Sequence, residues 1–165
     1  MAKEIERKFL LAKGASIPIP AEHRKLNIKQ AYVSVEKDKQ IRVRLTKEYG
    51  SIYSNICIKY TKNLIRDEFE FGVDNKEAKE LYTKCNWFVE KKRLSFYSHH
   101  MPEIHYDVDR FPNGMLWIEV EFKSIKDMKK WEGKIPSWIG KEITGVSKYS
   151  NITLAKKKLK FNGKR

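Results

Sequence analysis

The stretch from Leu116 to Phe122 reads Leu-Trp-Ile-Glu-Val-Glu-Phe, so that Glu119 and Glu121 alternate with apolar residues. Side chains in a β-strand alternate between the two faces of a sheet. This stretch therefore predicts a strand with two carboxylates on one face and apolar side chains on the other. The same alternation recurs along the chain, and it is the pattern on which both the fold class and the candidate site depend.

Seven segments in all have strand-like composition and are separated by turn-like pieces such as Pro112-Asn113-Gly114. They are Glu4–Leu11, Gln40–Leu45, Ile52–Tyr60, Arg66–Phe71, Phe88–Tyr97, Ile104–Arg110 and Leu116–Phe122. Seven or eight strands in 165 residues are typical of a barrel or a sandwich.

Three helices are predicted from their capping residues. Asp74 caps a segment that runs to about Cys85, and Ser124 caps a segment from Ile125 to Trp131. Either Ser147 or Ser150 caps a helix near the C-terminus. The inward-facing residues of that last helix would be Ile152, Ala155 and Leu159.

Charged residues gather on one face of almost every predicted strand, and same-sign charges stand two residues apart. Arg42 with Arg44, and Asp107 with Asp109, are examples. Such neighbours repel each other, so stability alone gives no reason for them. An ordinary sheet with a polar exterior explains one or two such strands without any function. The full set favours a closed sheet of about eight strands that turns its charged face inward and has its apolar outer face covered by the predicted helices.

The composition limits the classes of protein to which the chain can belong. Its net charge of +14 is accompanied by 41% hydrophobic residues, which excludes a disordered polycation. Two cysteines without metal-ligand spacing fit a reducing compartment, and no stretch reaches the roughly 20 apolar residues of a membrane span. We expect one domain over residues 1–165, in the cytoplasm. The basic balance keeps a nucleic-acid-binding or anion-binding role open.

The charged face predicts a polyphosphate site. Pairs of carboxylates suit a hard divalent cation such as Mg²⁺ or Mn²⁺, which prefers oxygen ligands. Arginine and lysine side chains suit phosphate oxygens, the first as a bidentate donor and the second as a compact charge. A triphosphate, with roughly four to five negative charges, needs several cations and a metal to enter a narrow cavity.

The opening Glu4-Ile5-Glu6-Arg7-Lys8 resembles the Glu-x-Glu-x-Lys signature of the CYTH, or triphosphate tunnel metalloenzyme, superfamily. Further segments resemble the family in the same order along the chain, with Ala31 in place of a usual Gly and Ser150 in a position that is often basic. They are Gln30-Ala31-Tyr32, Arg42-Val43-Arg44, Lys59, Arg66 with Glu68-Phe69-Glu70, Glu90-Lys91-Lys92-Arg93, Asp107-Val108-Asp109, Glu119-Val120-Glu121-Phe122 and Lys148-Tyr149-Ser150-Asn151. The short chain is similar to the bacterial single-domain branch. The resemblance implies an α+β fold, a closed eight-stranded antiparallel β-barrel that forms a tunnel, with helices packed on its outer face.

The resemblance implies a role for each matching residue. It implies metal ligation by carboxylates, which are Glu4, Glu6, Asp107, Asp109, Glu119 and Glu121. It implies phosphate binding by Lys8, Arg42, Arg44, Lys59, Arg66, Lys91, Arg93, Lys148 and Tyr32. It implies catalytic roles for Lys8, Lys91, Glu68 and Glu70. Tyr32 has a core position as its alternative, and the four histidines, which match no ligand spacing, are expected on the surface.

The activity implied is attack of water on a terminal phosphorus, with inorganic tripolyphosphate as the favoured small-molecule substrate and Mg²⁺ or Mn²⁺ as cofactor. Thiamine triphosphatase, nucleoside triphosphatase and class IV adenylate cyclase are alternatives within the family. A non-catalytic module that binds polyphosphate or RNA is the alternative of another class. A membrane partner is not expected, and a homodimer is compatible with the sequence.

Overall fold

The computed structural model describes residues 2–62 and 65–161, with the backbone alone for residues 2–4, 61, 62, 65 and 66. Strands dominate this part of the chain. They are β1 (Ala2–Leu11), β2 (Arg24–Val35), β3 (Lys39–Glu48), β4 (Ser51–Lys62), β5 (Ile65–Val73), β6 (Trp87–Tyr97), β7 (Ile104–Arg110), β8 (Leu116–Phe122) and β9 (Ile139–Glu142). The helices are α1 (Asn75–Lys84), α2 (Ile125–Glu132) and α3 (Asn151–Lys156), with a single 3-10 turn at Ser147–Tyr149.

The nine strands form one sheet in the order β5, β4, β3, β2, β6, β7, β8, β1, β9, and β1 also pairs with β5. Every pairing between these strands is antiparallel. The α+β class is therefore confirmed, although the described residues contain nine strands where eight were predicted.

Two strands, β2 and β9, were not predicted from the sequence, and the reasons differ. On β2, Ile28 lies opposite Thr46 of β3, and Gln30 lies opposite Arg44. Apolar and amide side chains thus occupy the face that is charged on neighbouring strands, so β2 lacks the alternation that marked the others. Strand β9 has only four residues, too few for an alternating pattern to be recognised in the sequence. Its pairing with β1 identifies it as a strand.

The three predicted helices are present, and hydrogen bonds from their caps explain where they begin. Asp74 accepts from the Lys76 amide at 2.8 Å, and Ser124 accepts from the Asp127 amide at 3.1 Å. Of the two candidate caps for the last helix, Ser150 is the one that caps it. Across the described residues, none of the helices is both long enough and apolar enough to cross a membrane.

The apolar face of the sheet is covered by α1 and α2. The α2 residue Trp131 is fully buried, with its ring centroid 5.3 Å from that of Phe9 and 5.4 Å from that of Phe122. Its indole N–H donates to the Tyr106 hydroxyl at 2.8 Å, so the buried polar atom is satisfied. On another part of the same apolar face, Ala78 of α1 packs in one cluster with residues of β2 and β3.

The third helix lies elsewhere. Leu154 and Ala155 of α3 belong to one buried cluster with Tyr32, Val89 and Trp117. By strand alternation Val89 shares its face with Lys91, and Trp117 shares its face with Glu119, so this cluster closes one end of the charged face. The expectation that helices pack on the outer face agrees with α1 and α2 and is wrong for α3.

Candidate active site

Most of the charged side chains on this face of the sheet line one cavity of about 630 Å³. Its cations are Lys8, Arg42, Arg44, Lys59, Lys91 and Arg93. Its carboxylates are Glu6, Glu68, Glu70, Glu119 and Glu121. Six different strands supply these groups, and their convergence follows from the alternation that was visible in the sequence.

One wall of the cavity, on β6, β7 and β8, is a network of ion pairs centred on Arg93. The guanidinium contacts Asp107, donates from Nε to Asp109 at 2.7 Å, and donates from Nη2 to Glu119 at 2.6 Å. Lys91 Nζ lies 2.6 Å from Asp109. Lys91 and the three carboxylates are buried, and the Arg93 side chain is 9% exposed. Buried charges are costly unless they are paired and hydrogen-bonded. Each charge of this wall has a partner of opposite sign, although Asp107 Oδ1 accepts no hydrogen bond from a described residue.

Two pKa values in this wall show how strongly the charges act on one another. Burial opposes the charged form of Glu119, but Lys8, Lys91 and Arg93 together hold the pKa of that carboxyl well below its ordinary value. Burial lowers the pKa of Lys91 to about 8, and repulsion from Arg93 adds to the effect. Lys91 therefore exchanges its proton much closer to neutral pH than an ordinary lysine does.

The opposite wall, on β3, β4 and β5, places Glu68 between two cations. Glu68 lies 3.1 Å from Lys59 Nζ and 3.5 Å from Arg42 Nη2. Burial raises the pKa of Glu68, but the two cations outweigh it and bring the pKa to about 2. Glu70, at the exposed end of this wall, accepts a hydrogen bond from the Asn55 amide.

Arg44 is the distinctive group of this second wall. It donates to the Gln30 side-chain oxygen at 3.3 and 3.4 Å, and within the described residues it forms no ion pair. Burial lowers the pKa of Arg44, and repulsion from Arg42 and Arg93 lowers it further. An arginine held by a neutral amide keeps its positive charge available to an anion in the cavity.

Four predicted residues are placed outside this cavity wall. Tyr32 is buried in the cluster beneath α3, where its hydroxyl accepts from Gln30 Nε2 at 3.0 Å. Lys148 is exposed on the 3-10 turn, with Nζ 4.7 Å from the centre of the Tyr149 ring. Asp107 and Asp109 lie behind the wall as partners of Arg93 and Lys91.

Two further predicted side chains cannot be placed. Those of Glu4 and Arg66 lie outside the described residues, and only their backbone register is known. The two residues are opposite each other where β1 pairs with β5.

Asn151, the first residue of α3, joins the site although it was not among the predicted ligands. It lines the cavity, and its buried Oδ1 accepts no hydrogen bond from any described residue. The Lys148-Tyr149-Ser150-Asn151 segment resembles the family, and Lys148 was the residue predicted to bind phosphate. In the structure it is Asn151 of this segment that lines the cavity.

His105 is the second residue that the sequence reasoning missed. It was expected on the surface, yet it is largely buried between Asp107 and Glu121, and the three side chains form a group that could hold a metal ion. Burial opposes protonation of His105, but the two carboxylates raise its pKa overall. Its parity with Asp107 on β7 was the signal that would have located it on the charged face.

The chain resembles known triphosphatases along almost its whole length. None of the protein-family models matches it. The inorganic triphosphatase of Acetivibrio thermocellus is 30% identical over 162 residues, which span 94% of this chain and 95% of that protein. The crystal structure of the inorganic triphosphatase NE1496 aligns with a TM-score of 0.61 and 27% identity, covering 94% of this chain and 96% of that chain.

A more distant structure shares the fold alone. The PH1819 protein from Pyrococcus horikoshii OT3 aligns with a TM-score of 0.59 at 18% identity, covering 80% of this chain and 85% of that chain. The fold, the convergence of charge and the identity over nearly the full length agree with one another. The chain belongs to the same family as the inorganic triphosphatase of Acetivibrio thermocellus.

Proposed function

We propose that this protein hydrolyses inorganic tripolyphosphate to pyrophosphate and phosphate. The observation that carries the proposal is the cavity with six cationic side chains on its wall, among which Arg44 faces a neutral amide instead of a carboxylate. Such a wall fits a polyanion whose negative charges are closely spaced. The relatives named as inorganic triphosphatases support the same substrate.

We also propose that the site is the lumen of a closed barrel of the CYTH, or triphosphate tunnel metalloenzyme, type. The register of β1 supports it, because Ile5 lies opposite Ile65 of β5 on one edge and opposite Phe122 of β8 on the other. Strand β5 begins the strand order and β8 lies near its other end, so pairing of β1 with both strands would join the two sides of the sheet. A closed sheet has no exposed strand edges, which would fix the cavity walls relative to each other.

A divalent metal, Mg²⁺ or Mn²⁺, belongs to the proposal. The donor set is made of carboxylate oxygens, which fits a hard cation, and the predicted ligands are Glu4, Glu6, Asp107, Asp109, Glu119 and Glu121. When bound, such an ion polarises a phosphoryl oxygen and offsets its developing charge. Glu119 is engaged by Lys8 and Arg93, so these two cations would turn to phosphate oxygens as the carboxylate takes a new partner.

The proposed reaction is an in-line displacement. The oxygen of a water molecule forms a bond to a terminal phosphorus, the bridging P–O bond breaks, and pyrophosphate leaves with the bonding electron pair. Lys8, Arg42, Arg44, Lys59 and Arg93 would stabilise charge on the phosphate oxygens. Lys91, Glu68 and Glu70 are the candidates for positioning the water and receiving its proton, Lys91 because its pKa is lowered to about 8.

Phosphate release with Mg²⁺ from tripolyphosphate, thiamine triphosphate and ATP, measured in parallel, tests the proposal. We expect tripolyphosphate to be hydrolysed fastest. We expect Glu119→Gln to abolish this turnover, and Glu80→Gln, at an exposed position on α1, to leave it unchanged. Cyclic AMP from ATP without phosphate from tripolyphosphate would instead identify a cyclase.

A binding module without catalysis would give a different set of results. Tripolyphosphate or RNA would then bind in the presence of a chelator, with a steep dependence on salt and without turnover. Those results together would replace the proposed hydrolase by the binding function.

A further inference from the structure

A second cavity, of about 560 Å³, is a groove on the outer face of the sheet. Leu45 and Lys47 line it, and they have the opposite parity to Arg44, which lines the first cavity. They therefore point to the other side of β3. Lys79 of α1 and Phe161, which follows α3, also line the groove. Its volume is within the usual range of ligand pockets in proteins.

Part of the groove is an apolar recess formed by Leu45, Ile52 and Phe161. Leu45 is buried in one cluster with Ala78 of α1. Ile52, which lies opposite Lys47 where β3 pairs with β4, is 42% exposed, and Phe161 is half-buried. The recess thus keeps apolar surface in contact with water, and covering it with another apolar group is favourable.

Hydrogen bonds to β6 hold the Phe161 side of the recess in place. The Phe161 amide donates to Glu90 Oε2 at 2.9 Å, and the Glu90 amide donates to the Leu159 carbonyl at 2.9 Å. Lys92 Nζ lies 5.0 Å from the centre of the Phe161 ring. The recess is therefore formed before any ligand binds, which lowers the entropic cost of docking.

Four exposed lysines surround the recess. They are Lys29, Lys47, Lys79 and Lys92. Asn27 pairs with Lys47 of β3 on one side and with Lys92 of β6 on the other, so the backbones of these two lysines stand about 10 Å apart. Among the described residues that line the groove, Glu90 alone is acidic, and it pairs with Lys29 at 3.4 Å. The other three lysines form no ion pair within the described chain, so their charges are available to an anionic ligand.

We propose that this groove docks an acidic segment of a partner protein, with one large apolar side chain in the recess and flanking Asp or Glu residues against the lysines. Charge complementarity selects that occupant, because the groove offers both a positive rim and an apolar recess. A second copy of this chain fits poorly, since each copy has a net charge of +14. The groove lies outside the first cavity, so the docking site does not rest on the proposed hydrolase activity.

A single-stranded nucleic acid, which exposed lysines also attract, fits the groove less well. Bases stack on the free faces of aromatic rings. Among the described residues that line the groove, Phe161 is the one aromatic residue, and Lys92 lies over its ring. Leu45 and Ile52 are aliphatic, so they suit an apolar side chain better than a base.

Fluorescence anisotropy with a labelled peptide and the full-length protein tests the recess. The probe has a central Phe flanked on each side by four acidic residues, and its matched probe has Ala in place of the Phe. The protein should bind the Phe peptide about tenfold or more tightly, because only that peptide buries an aromatic side chain. Ile52→Ser should weaken binding of the Phe peptide by about threefold to tenfold and leave binding of the Ala peptide unchanged.

A double charge reversal tests the lysine rim. We expect Lys47→Glu with Lys92→Glu to weaken binding of the Phe peptide by more than about tenfold, because two attractive contacts become repulsive. The matched control is Lys126→Glu with Lys129→Glu, at exposed positions on α2, which changes the net charge by the same amount. At physiological salt the control should lose about twofold or less, because charges beyond a Debye length are screened.

Four results would each overturn the docking site. The first two are equal affinity for the Phe and Ala peptides, and equal losses in the rim variant and the α2 control. The third is displacement of the Phe peptide by tripolyphosphate, with chelator and at constant ionic strength, which would place the peptide in the first cavity. The fourth is a labelled oligothymidylate that binds more tightly than the Phe peptide and loses its affinity in the Lys47/Lys92 variant, which would make the groove a nucleic-acid site.

Circular dichroism establishes that each variant is folded. If the charge-reversed variant does not fold, Ile52→Ser with the two peptides carries the test by itself. Hydrolysis of tripolyphosphate is assayed separately, and the groove variants should keep the wild-type rate. A wild-type protein without hydrolysis would leave the peptide result standing, and a groove without peptide binding would leave the proposed hydrolase standing.

Discussion

The two walls of the first cavity carry similar groups but pair them differently. On β6, β7 and β8, Arg93 contacts Asp107, Asp109 and Glu119, so its charge is more than matched. On β3, β4 and β5, Arg44 is held by Gln30, a neutral partner. Both arginines line the same cavity.

The difference separates two uses of buried charge. Where carboxylates surround a cation, breaking the network leaves several uncompensated charges, so the network is tied to stability. Where a cation faces an amide, its charge is not used within the protein and remains available for an anion. Mutation of the first wall should therefore reduce stability as well as function, and mutation of the second wall should reduce mainly function.

The largest expected effect is that of Arg93→Ala on stability. Three buried carboxylates lose their shared partner, and the free energy of unfolding should fall by about 3–5 kcal/mol. Arg24→Ala is the matched control, because Arg24 also pairs with a carboxylate, Glu48, but is 55% exposed. Its cost should stay below about 1 kcal/mol in urea unfolding. Equal losses in the two variants would contradict the structural role of the first wall.

Arg44→Gln should separate function from stability on the second wall. Since Arg44 forms no ion pair with any described carboxylate, we expect the free energy of unfolding to change by less than about 1 kcal/mol. The kcat/KM for tripolyphosphate should fall by about tenfold to a hundredfold, the value of one or two hydrogen bonds from a charged donor. Lys47→Gln, at an exposed position of the same strand, is the control. A stability loss as large as that of Arg93→Ala would remove the distinction between the walls.

Lys91 belongs to the first wall, and its buried amine predicts a pH dependence. Burial lowers its pKa from 10.5 to about 8, with repulsion from Arg93 as a further cause. Between these two pH values the unfolded chain binds a proton that the folded chain has released, so the contribution of Lys91 to stability increases as pH rises. Urea unfolding across this interval should show a smaller upward slope in Lys91→Met. The exposed Lys79→Met should keep the wild-type slope, and a slope unchanged in both variants would refute the assignment.

The smallest effect is expected from the exterior charge near the end of α3. Lys156 and Lys157 are exposed, and replacing both by Gln should change stability by less than about 0.5 kcal/mol. If the outer lysines steer polyanions toward the cavity, kcat/KM at low salt should fall by less than about threefold, and the difference should vanish at high salt. A loss that persists at high salt would place these lysines in direct contact with the substrate.

Strand alternation was enough to predict most of the charged residues that line the first cavity. Arg42, Arg44, Glu119 and Glu121 were assigned to a common face from their spacing alone, and they line one cavity. The same reasoning failed for β2, whose inward residues are uncharged, and for His105, whose parity with Asp107 was overlooked. In each case the missed residue lacked the charge that made the other strands conspicuous.

The sequence by itself determined the strands, the helix caps and which side chains share a face, because these follow from local periodicity and from hydrogen bonds within a few residues. Only the tertiary structure decided which charges pair. Arg93 meets three carboxylates from β7 and β8, whereas Arg44 meets Gln30 of β2, because the strand order and register set each neighbour. The net charge of +14 does not reveal that difference, because ion pairing depends on distances between side chains on strands that are far apart in the sequence.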